Sequence, residues 1–180
     1  MFAKISAFLL GLFGWKVETT IKTYPKKHVI AVVPHTSGWD FPIGILTRSI
    51  MRQEIKYIGK ASLFKFPLGP ILKLMGGVPV DRSKRNNFVD AVVDIFNERE
   101  AFAVCIAPEG TREKVAELKT GFYYIAKGAG VPILLCRFDY SIKRVQIAEP
   151  FYTTDDMEAD MQFINDYFRG VPGKFPAQSF

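Results

Sequence analysis

The feature that most constrains the fold is the alternation of short β-rich runs with helical segments after residue 27. Runs such as 28–33 and 102–107 are continuous and apolar, which is typical of strands buried on both faces of a parallel sheet. The segments between them repeat apolar residues at helical spacing. This alternation predicts the α/β class, with a central, mostly parallel sheet flanked by helices. The 180 residues suffice for one core, so we expect a single domain over residues 1–180.

The individual elements follow from the same patterns. We predict strands at 28–33, 56–59, 102–107 and 131–138, a short buried strand at 78–80, and an edge strand around Val145, Ile147 and Phe151. We predict helices at 39–51, 121–127 and 155–168, a broken helix within 63–74, and a helix starting near Asn86 or Asn87 and running through Phe96.

The first 16 residues form a separate apolar segment. It is shorter than the roughly 20 residues that a membrane-spanning helix needs. Phe2, Ile5, Leu9, Leu12 and Phe13 fall on one helical face, which predicts an N-terminal amphipathic helix. Such a helix over residues 1–16 can lie in a membrane interface or pack on its own domain, and the sequence leaves both readings open.

Charge is distributed unevenly along the chain. The stretch from Arg48 to Arg85 contains nine basic and two acidic residues, whereas the stretch from Glu149 onward contains six acidic and two basic ones. A basic sector favours an anionic partner such as a phospholipid surface, a phosphorylated substrate or nucleic acid. An ordinary solvated surface explains the pattern equally well.

Polar clusters follow three of the predicted strands. They are His35 to Asp40 after the first, Asp81-Arg82 after the third, and Pro108 to Arg112 after the fourth. In open α/β sheets, ligands bind beyond the carboxyl ends of the strands. These clusters are therefore candidates for one shared site.

His35 and Asp40 are the candidate catalytic pair. The intervening residues form turns readily, and a tight turn into a helix can return the carboxylate to the imidazole. The carboxylate would then fix the tautomer, while the other ring nitrogen takes a proton from a hydroxyl. A hydrogen-bonded loop or a helix N-cap explains the same spacing without catalysis.

The segment from Glu109 to Arg112 suits an anion. Gly110 permits close backbone approach, and the Arg112 guanidinium can hold a phosphate through two hydrogen bonds. Arg82 and Lys60 can converge on the same anion. Structural ion pairs with the neighbouring acids are the alternative.

Other chemistries lack a sequence signature. There is no Gly-x-Ser-x-Gly elbow, no Walker A loop and no His/Cys cluster with metal-ligand spacing. Cys105 and Cys136 each lie inside an apolar run and are interpreted as core residues. We expect no metal and no bound cofactor.

Taken in order, four blocks resemble the lysophospholipid acyltransferase family, which includes bacterial 1-acyl-glycerol-3-phosphate acyltransferases. They are His35-Thr-Ser-Gly-Trp-Asp40, Gly76-Gly-Val-Pro-Val-Asp-Arg82, Pro108-Glu-Gly-Thr-Arg112 and Val131-Pro-Ile133. The run from Lys60 to Pro67 also looks like the segment between the first two blocks of that family.

The resemblance implies a fatty acyl transfer from acyl-CoA or acyl carrier protein to the hydroxyl of a lysophospholipid, with 1-acyl-glycerol-3-phosphate as the first candidate. It implies His35 as the base and Asp40 as its partner. It assigns the acceptor's phosphate to Arg82, Glu109, Gly110, Thr111 and Arg112, with Lys60 as a further candidate. The implied enzyme is peripheral, on the cytoplasmic side of a membrane.

Pro34, Pro79 and Ala107 depart from the residues usual in the family, which leaves the acceptor open. Another lyso-lipid, including one without phosphate, is an alternative acceptor. A non-catalytic membrane-lipid-binding module is a second alternative. Nucleic-acid binding would rest on charge alone, because no recognition motif accompanies the basic sector, and we do not expect it.

Overall fold

The structure, a computed structural model, describes residues 2–80 and 85–180. Within them, seven strands form one sheet in the order β1-β7-β6-β2-β5-β3-β4. The strands are β1 (Lys16–Thr19), β2 (Lys27–Val33), β3 (Ile55–Lys60), β4 (Gly77–Val80), β5 (Phe102–Ile106), β6 (Ile133–Asp139) and β7 (Arg144–Ile147). The helices are α1 (Phe2–Leu12), α2 (Asp40–Met51), α3 (Leu68–Leu74), α4 (Arg85–Glu98), α5 (Gly121–Ala129) and α6 (Met157–Phe168).

The described strand pairs are parallel except for β6 with β7. The predicted α/β class with a mostly parallel sheet is therefore confirmed. The long elements lie within a few residues of their predicted positions. The broken helix resolves into a 3₁₀ turn at Ala61–Phe64, followed by α3.

The core has two layers, one on each face of the sheet. Along β2, Val29, Ala31 and Val33 face one layer while Ile30 and Val32 face the other, because successive side chains of a strand alternate. The first layer packs against residues of α4, α5 and α6, and the second packs against residues of α1 and α2. Cys136 is buried and Cys105 packs against the second layer, and both are free thiols, as the sequence predicted.

Two short strands occupy positions opposite to those predicted. The segment 78–80 was expected to be buried, yet β4 is at one edge of the sheet and Pro79 is exposed. Proline lacks the N–H that an interior strand donates, so an edge suits it. The segment at Val145 was expected at an edge, but β7 lies between β6 and β1. The neighbouring strand β1 has too few apolar residues for its sequence to predict a strand there.

The N-terminal helix is present as α1. It packs against α2 and buries Ser6 and Leu10, while most of its large apolar side chains face outward. Phe2, Phe8 and Leu12 are between 64% and 76% exposed. Among the described residues, no helix combines the length and the apolar character needed to cross a bilayer.

Candidate active site

The candidate site lies at the carboxyl ends of β2 and β5, which are neighbours in the sheet. The chain leaves β2 after Val33 and β5 after Ile106. Because the two strands are parallel, the loop that carries His35 and the loop that carries Glu109 emerge side by side. The sequence predicted the site at these carboxyl ends of the strands.

The imidazole of His35 contacts the carboxylate of Asp40. His35 Nδ1 lies 3.0 Å from Asp40 Oδ2, and the same oxygen accepts the backbone N–H of Ser37 at 2.9 Å. Asp40 is the first residue of α2, and only 3% of its side chain is exposed, compared with 29% for His35. The turn between the two residues therefore returns the carboxylate to the imidazole, and His35 Nε2 is the ring nitrogen left to face a ligand.

Tyr140 is a third member of this cluster, and no sequence pattern indicated it. Its hydroxyl donates to Asp40 Oδ1 at 2.5 Å, across 100 positions in the chain. Burial, followed by the hydrogen bond and the charge of Asp40, raises the pKa of the Tyr140 phenol far above its ordinary value. The phenol is consequently a neutral donor to the carboxylate.

Glu109 holds the histidine loop from the other side. Its Oε2 accepts the backbone N–H of His35 at 2.8 Å, and its side chain is fully buried. Burial raises the pKa of Glu109 to about 7, although the hydrogen bond from His35 and the histidine's charge oppose the shift. Glu109 therefore contacts the protein backbone. The expected role of Glu109 in binding phosphate stays a prediction.

A wide cleft of about 770 Å³ opens beside His35. Gly110, Thr111 and Arg112 line it, together with Lys119, which no sequence pattern indicated. Gly110 has a φ of +67°, and a Cβ built on it would collide with Lys119 Nζ, so the ammonium lies directly over the glycine. Within the described part of the chain, neither Arg112 nor Lys119 has an ion-pair partner.

A second, narrower cavity of about 220 Å³ also reaches His35. It runs between α2 and the sheet, and its walls are mainly apolar, with Phe41, Gly44, Met51 and Phe138 among them. His35 is thus at the junction of a cleft that carries cations and a cavity suited to a hydrocarbon chain.

The other residues expected at this site are not placed there. Arg82 lies outside the described residues, and Lys60 ends β3 with a side chain outside the described part. Arg48, from the basic sector, donates to the backbone carbonyls of Ile55 and Met75 and therefore has a structural role.

The last ten residues cover the histidine loop, which no sequence pattern indicated. The backbone N–H of Phe175 donates to Thr36 Oγ1 at 3.3 Å, and Tyr140 N donates to the carbonyl of Pro172. The Gln178 amide, in the orientation that satisfies its acceptors, donates to the carbonyls of Arg112 and Thr36. This segment joins three loops of the site.

Comparison with known proteins shows which family this chain is similar to. A family model described as acyltransferase matches residues 15–138. The chain is 28% identical over 134 residues to the 1-acyl-sn-glycerol-3-phosphate acyltransferase of Escherichia coli, and 30% over 135 residues to that of Salmonella typhimurium. Each match covers 70% of this chain and 54% of the relative. The chain thus spans about half the length of the curated relatives it matches.

A solved structure has the same fold. The 1-acyl-sn-glycerophosphate (LPA) acyltransferase PlsC of Thermotoga maritima matches with a TM-score of 0.64 at 21% identity. The match covers 92% of this chain and 74% of the other.

Proposed function

The chain belongs to the acyltransferase family, and we propose that it transfers a fatty acyl group from acyl-CoA or acyl carrier protein to the free hydroxyl of a lysophospholipid. The first candidate acceptor is 1-acyl-sn-glycerol-3-phosphate, the compound after which the relatives from Escherichia coli and Salmonella typhimurium are named. The observation that carries the proposal is the 3.0 Å contact between His35 and Asp40 at the junction of the two cavities.

In the proposed mechanism, His35 Nε2 removes the proton from the acceptor hydroxyl as the oxygen attacks the thioester carbonyl. Asp40 keeps the other ring nitrogen protonated and stabilises the imidazolium that forms. The tetrahedral intermediate collapses, the C–S bond breaks, and the imidazolium returns its proton to the thiolate that leaves. The ester and the free thiol are the products, and His35 is neutral again.

A direct transfer agrees with the state of the cysteines. Cys105 lines the narrow cavity, but burial raises the pKa of its thiol to about 12. A thiol needs to ionise to act as a nucleophile, so Cys105 is unsuited to carry the acyl group. The proposal therefore includes no covalent acyl-enzyme.

For the acceptor's phosphate, we propose the wide cleft. Arg112 offers a fork of N–H donors, and Lys119 supplies a second positive charge over Gly110. Thr111 adds a hydroxyl, and the backbone of Glu109 and Gly110 completes the loop. Arg82 and Lys60 remain proposed as further phosphate ligands.

The narrow cavity suits the acyl chain of the donor. Its apolar walls would remove a hydrocarbon chain from water at a gain of about 0.8 kcal/mol per buried CH₂ group. With the acyl chain of the donor in this cavity and the phosphate of the acceptor in the wide cleft, the thioester of the donor and the hydroxyl of the acceptor would meet at His35.

We further propose that the protein works peripherally, on the cytoplasmic side of a membrane. The outward apolar face of α1, where Phe8 is 66% exposed, would lie in the lipid interface together with Phe13, which follows the helix and is 67% exposed. The lysophospholipid acceptor carries a long acyl chain, so a membrane surface would supply it.

The decisive experiment is a mass-spectrometric assay of acyl transfer with His35→Ala. The panel combines acyl-CoA and acyl carrier protein donors with lysophosphatidic acid, other lysophospholipids and a lyso-lipid without phosphate. We expect the substitution to lower turnover at least about 100-fold while the circular dichroism spectrum is unchanged. Full activity of the variant would refute the proposed base. Liposome binding by the wild-type protein without turnover on any acceptor would favour a non-catalytic lipid-binding module.

A further inference from the structure

We propose that Tyr140 is a positioning residue for the acyl transfer: its hydroxyl orients the Asp40 carboxylate, which in turn holds His35 as the base. This inference rests on the proposed function, because it assigns a role within the same site. It adds a residue from the loop after β6 to a pair that comes from the loop after β2.

The first argument is the division of hydrogen bonds over the carboxylate. Asp40 Oδ2 faces both the Ser37 N–H and His35 Nδ1, whereas Oδ1 faces the Tyr140 hydroxyl. A carboxylate bound through one oxygen can still rotate about its last torsion, which has a broad energy well. The bond from Tyr140 on the second oxygen fixes the plane of the group and with it the direction in which Oδ2 meets the imidazole.

The second argument is that Tyr140 is itself held firmly. Its backbone N–H donates to the Pro172 carbonyl at 3.0 Å. Its ring packs edge-on against buried Trp15, with a centroid separation of 4.7 Å. Contacts from both the N-terminal and the C-terminal parts of the chain therefore aim the hydroxyl at Asp40.

The third argument concerns charge. The raised pKa of Tyr140 keeps its proton on the phenol, so the residue donates to Asp40 as a neutral group. Tyr140 does not exchange a proton with the substrate in this role. It stabilises the carboxylate as an anion in one orientation, which is the state that the base needs.

The protein contains a matched control. Tyr123 is fully buried, and its hydroxyl donates to Asp160 Oδ2 at 2.8 Å, in a pair that links α5 to α6 and has no contact with His35. Replacing either tyrosine with phenylalanine removes the same kind of bond. Only the bond from Tyr140 reaches the proposed catalytic pair.

The test is steady-state kinetics on the full chain, with turnover normalised to the folded fraction measured by circular dichroism. We expect Tyr140→Phe to lower kcat about tenfold with KM for both substrates within about twofold, since the lost contact acts on the base and not on binding. Tyr123→Phe is expected to lower the melting temperature but to leave kcat unchanged. In an Asp40→Asn background, adding Tyr140→Phe should cause no further fall, because the two residues act as one unit.

The outcomes separate this inference from the proposed function. An active His35→Ala variant overturns the proposed function itself. An inactive His35→Ala variant together with wild-type kcat for Tyr140→Phe overturns the role of Tyr140 alone. Equal losses of kcat in Tyr140→Phe and Tyr123→Phe, or additive losses with Asp40→Asn, also overturn it, because they would indicate general loosening of the fold.

Discussion

The buried carboxylate of Glu109 accepts the backbone N–H of His35 at 2.8 Å, so a residue that follows β5 fixes the loop that follows β2. The acid of the Pro-Glu-Gly-Thr-Arg block thus has a structural contact with the candidate base. The guanidinium of Arg112, three residues later, faces the wide cleft instead. One short loop therefore both supports the histidine and presents a cation to the wide cleft.

The first prediction concerns the pH dependence of stability at Glu109. Burial raises the pKa of this carboxyl from 4.5 to about 7 in the folded protein, so between these pH values the folded state binds more protons than the unfolded state. The free energy of unfolding should therefore fall as pH rises through this window. Glu109→Gln keeps an oxygen acceptor for His35 but cannot ionise. We expect its stability relative to wild type to improve by about 3 kcal/mol between pH 4.5 and pH 8.

Urea denaturation at several pH values measures this difference. Glu113→Gln, at an exposed position of the same loop, controls for the loss of a surface charge. A constant difference between Glu109→Gln and wild type across the pH range would contradict the predicted effect of burial.

The second prediction concerns the cations of the wide cleft. Arg112→Leu should raise KM for a phosphorylated acceptor by about 10- to 100-fold, since a hydrogen bond to a charged group contributes about 1.5–3 kcal/mol. Lys119→Met should raise it by a smaller factor, because an ammonium acts as a point charge and lacks the paired N–H donors with which a guanidinium holds a phosphate. The KM for the acyl donor should change little in either variant.

Lys114→Met is the control for the second prediction, because Lys114 is exposed on the same loop but does not line the cleft. Initial-rate kinetics with varied acceptor give the result. If Arg112→Leu leaves the acceptor's KM unchanged, the phosphate binds elsewhere.

The third prediction concerns the narrow cavity. Gly44 lies on α2, and a Cβ there would meet Phe138 at 3.9 Å, an ordinary contact. Gly44→Leu should fill the cavity and shift the product spectrum toward shorter acyl chains. Gly44→Ala fits the available space and should stabilise α2 by about 0.5–1 kcal/mol, so it serves as the control.

Mass spectrometry of products from a mixture of acyl donors reads out the third prediction. An unchanged chain-length profile in Gly44→Leu, with the variant folded, would exclude this cavity as the acyl site.

The fourth prediction concerns the outward face of α1. Phe8 and Leu12 are 66% and 64% exposed, so a Phe8→Ser, Leu12→Ser double variant should keep the fold. It should bind phospholipid vesicles at least about tenfold more weakly, because two large apolar side chains no longer enter the lipid. Vesicle co-sedimentation measures the partitioning.

Tyr152→Ser is the control for this surface, since Tyr152 is similarly exposed at 62% but lies on another part of the molecule. Equal vesicle binding by the double variant and the wild type would argue against α1 as the membrane contact.

The sequence predicted the long elements well because their signals are local. The apolar run that became β2 and the helical spacing from Phe88 to Phe96 are properties of neighbouring residues. It predicted the two edges of the sheet incorrectly. Whether β4 or β7 is at an edge depends on which strands pair, and that choice is made by contacts far apart in the chain.

For the site, the sequence by itself determined which groups can do chemistry and that His35 and Asp40 are close enough to meet. The two residues are five positions apart, and the turn-forming stretch Thr36-Ser37-Gly38 between them limits their separation, whatever the rest of the chain does. Only the tertiary structure decided what surrounds the pair. Glu109, Tyr140 and the C-terminal segment reach it from 74 or more positions away. Such contacts depend on the order of strands in the sheet, which no local pattern encodes.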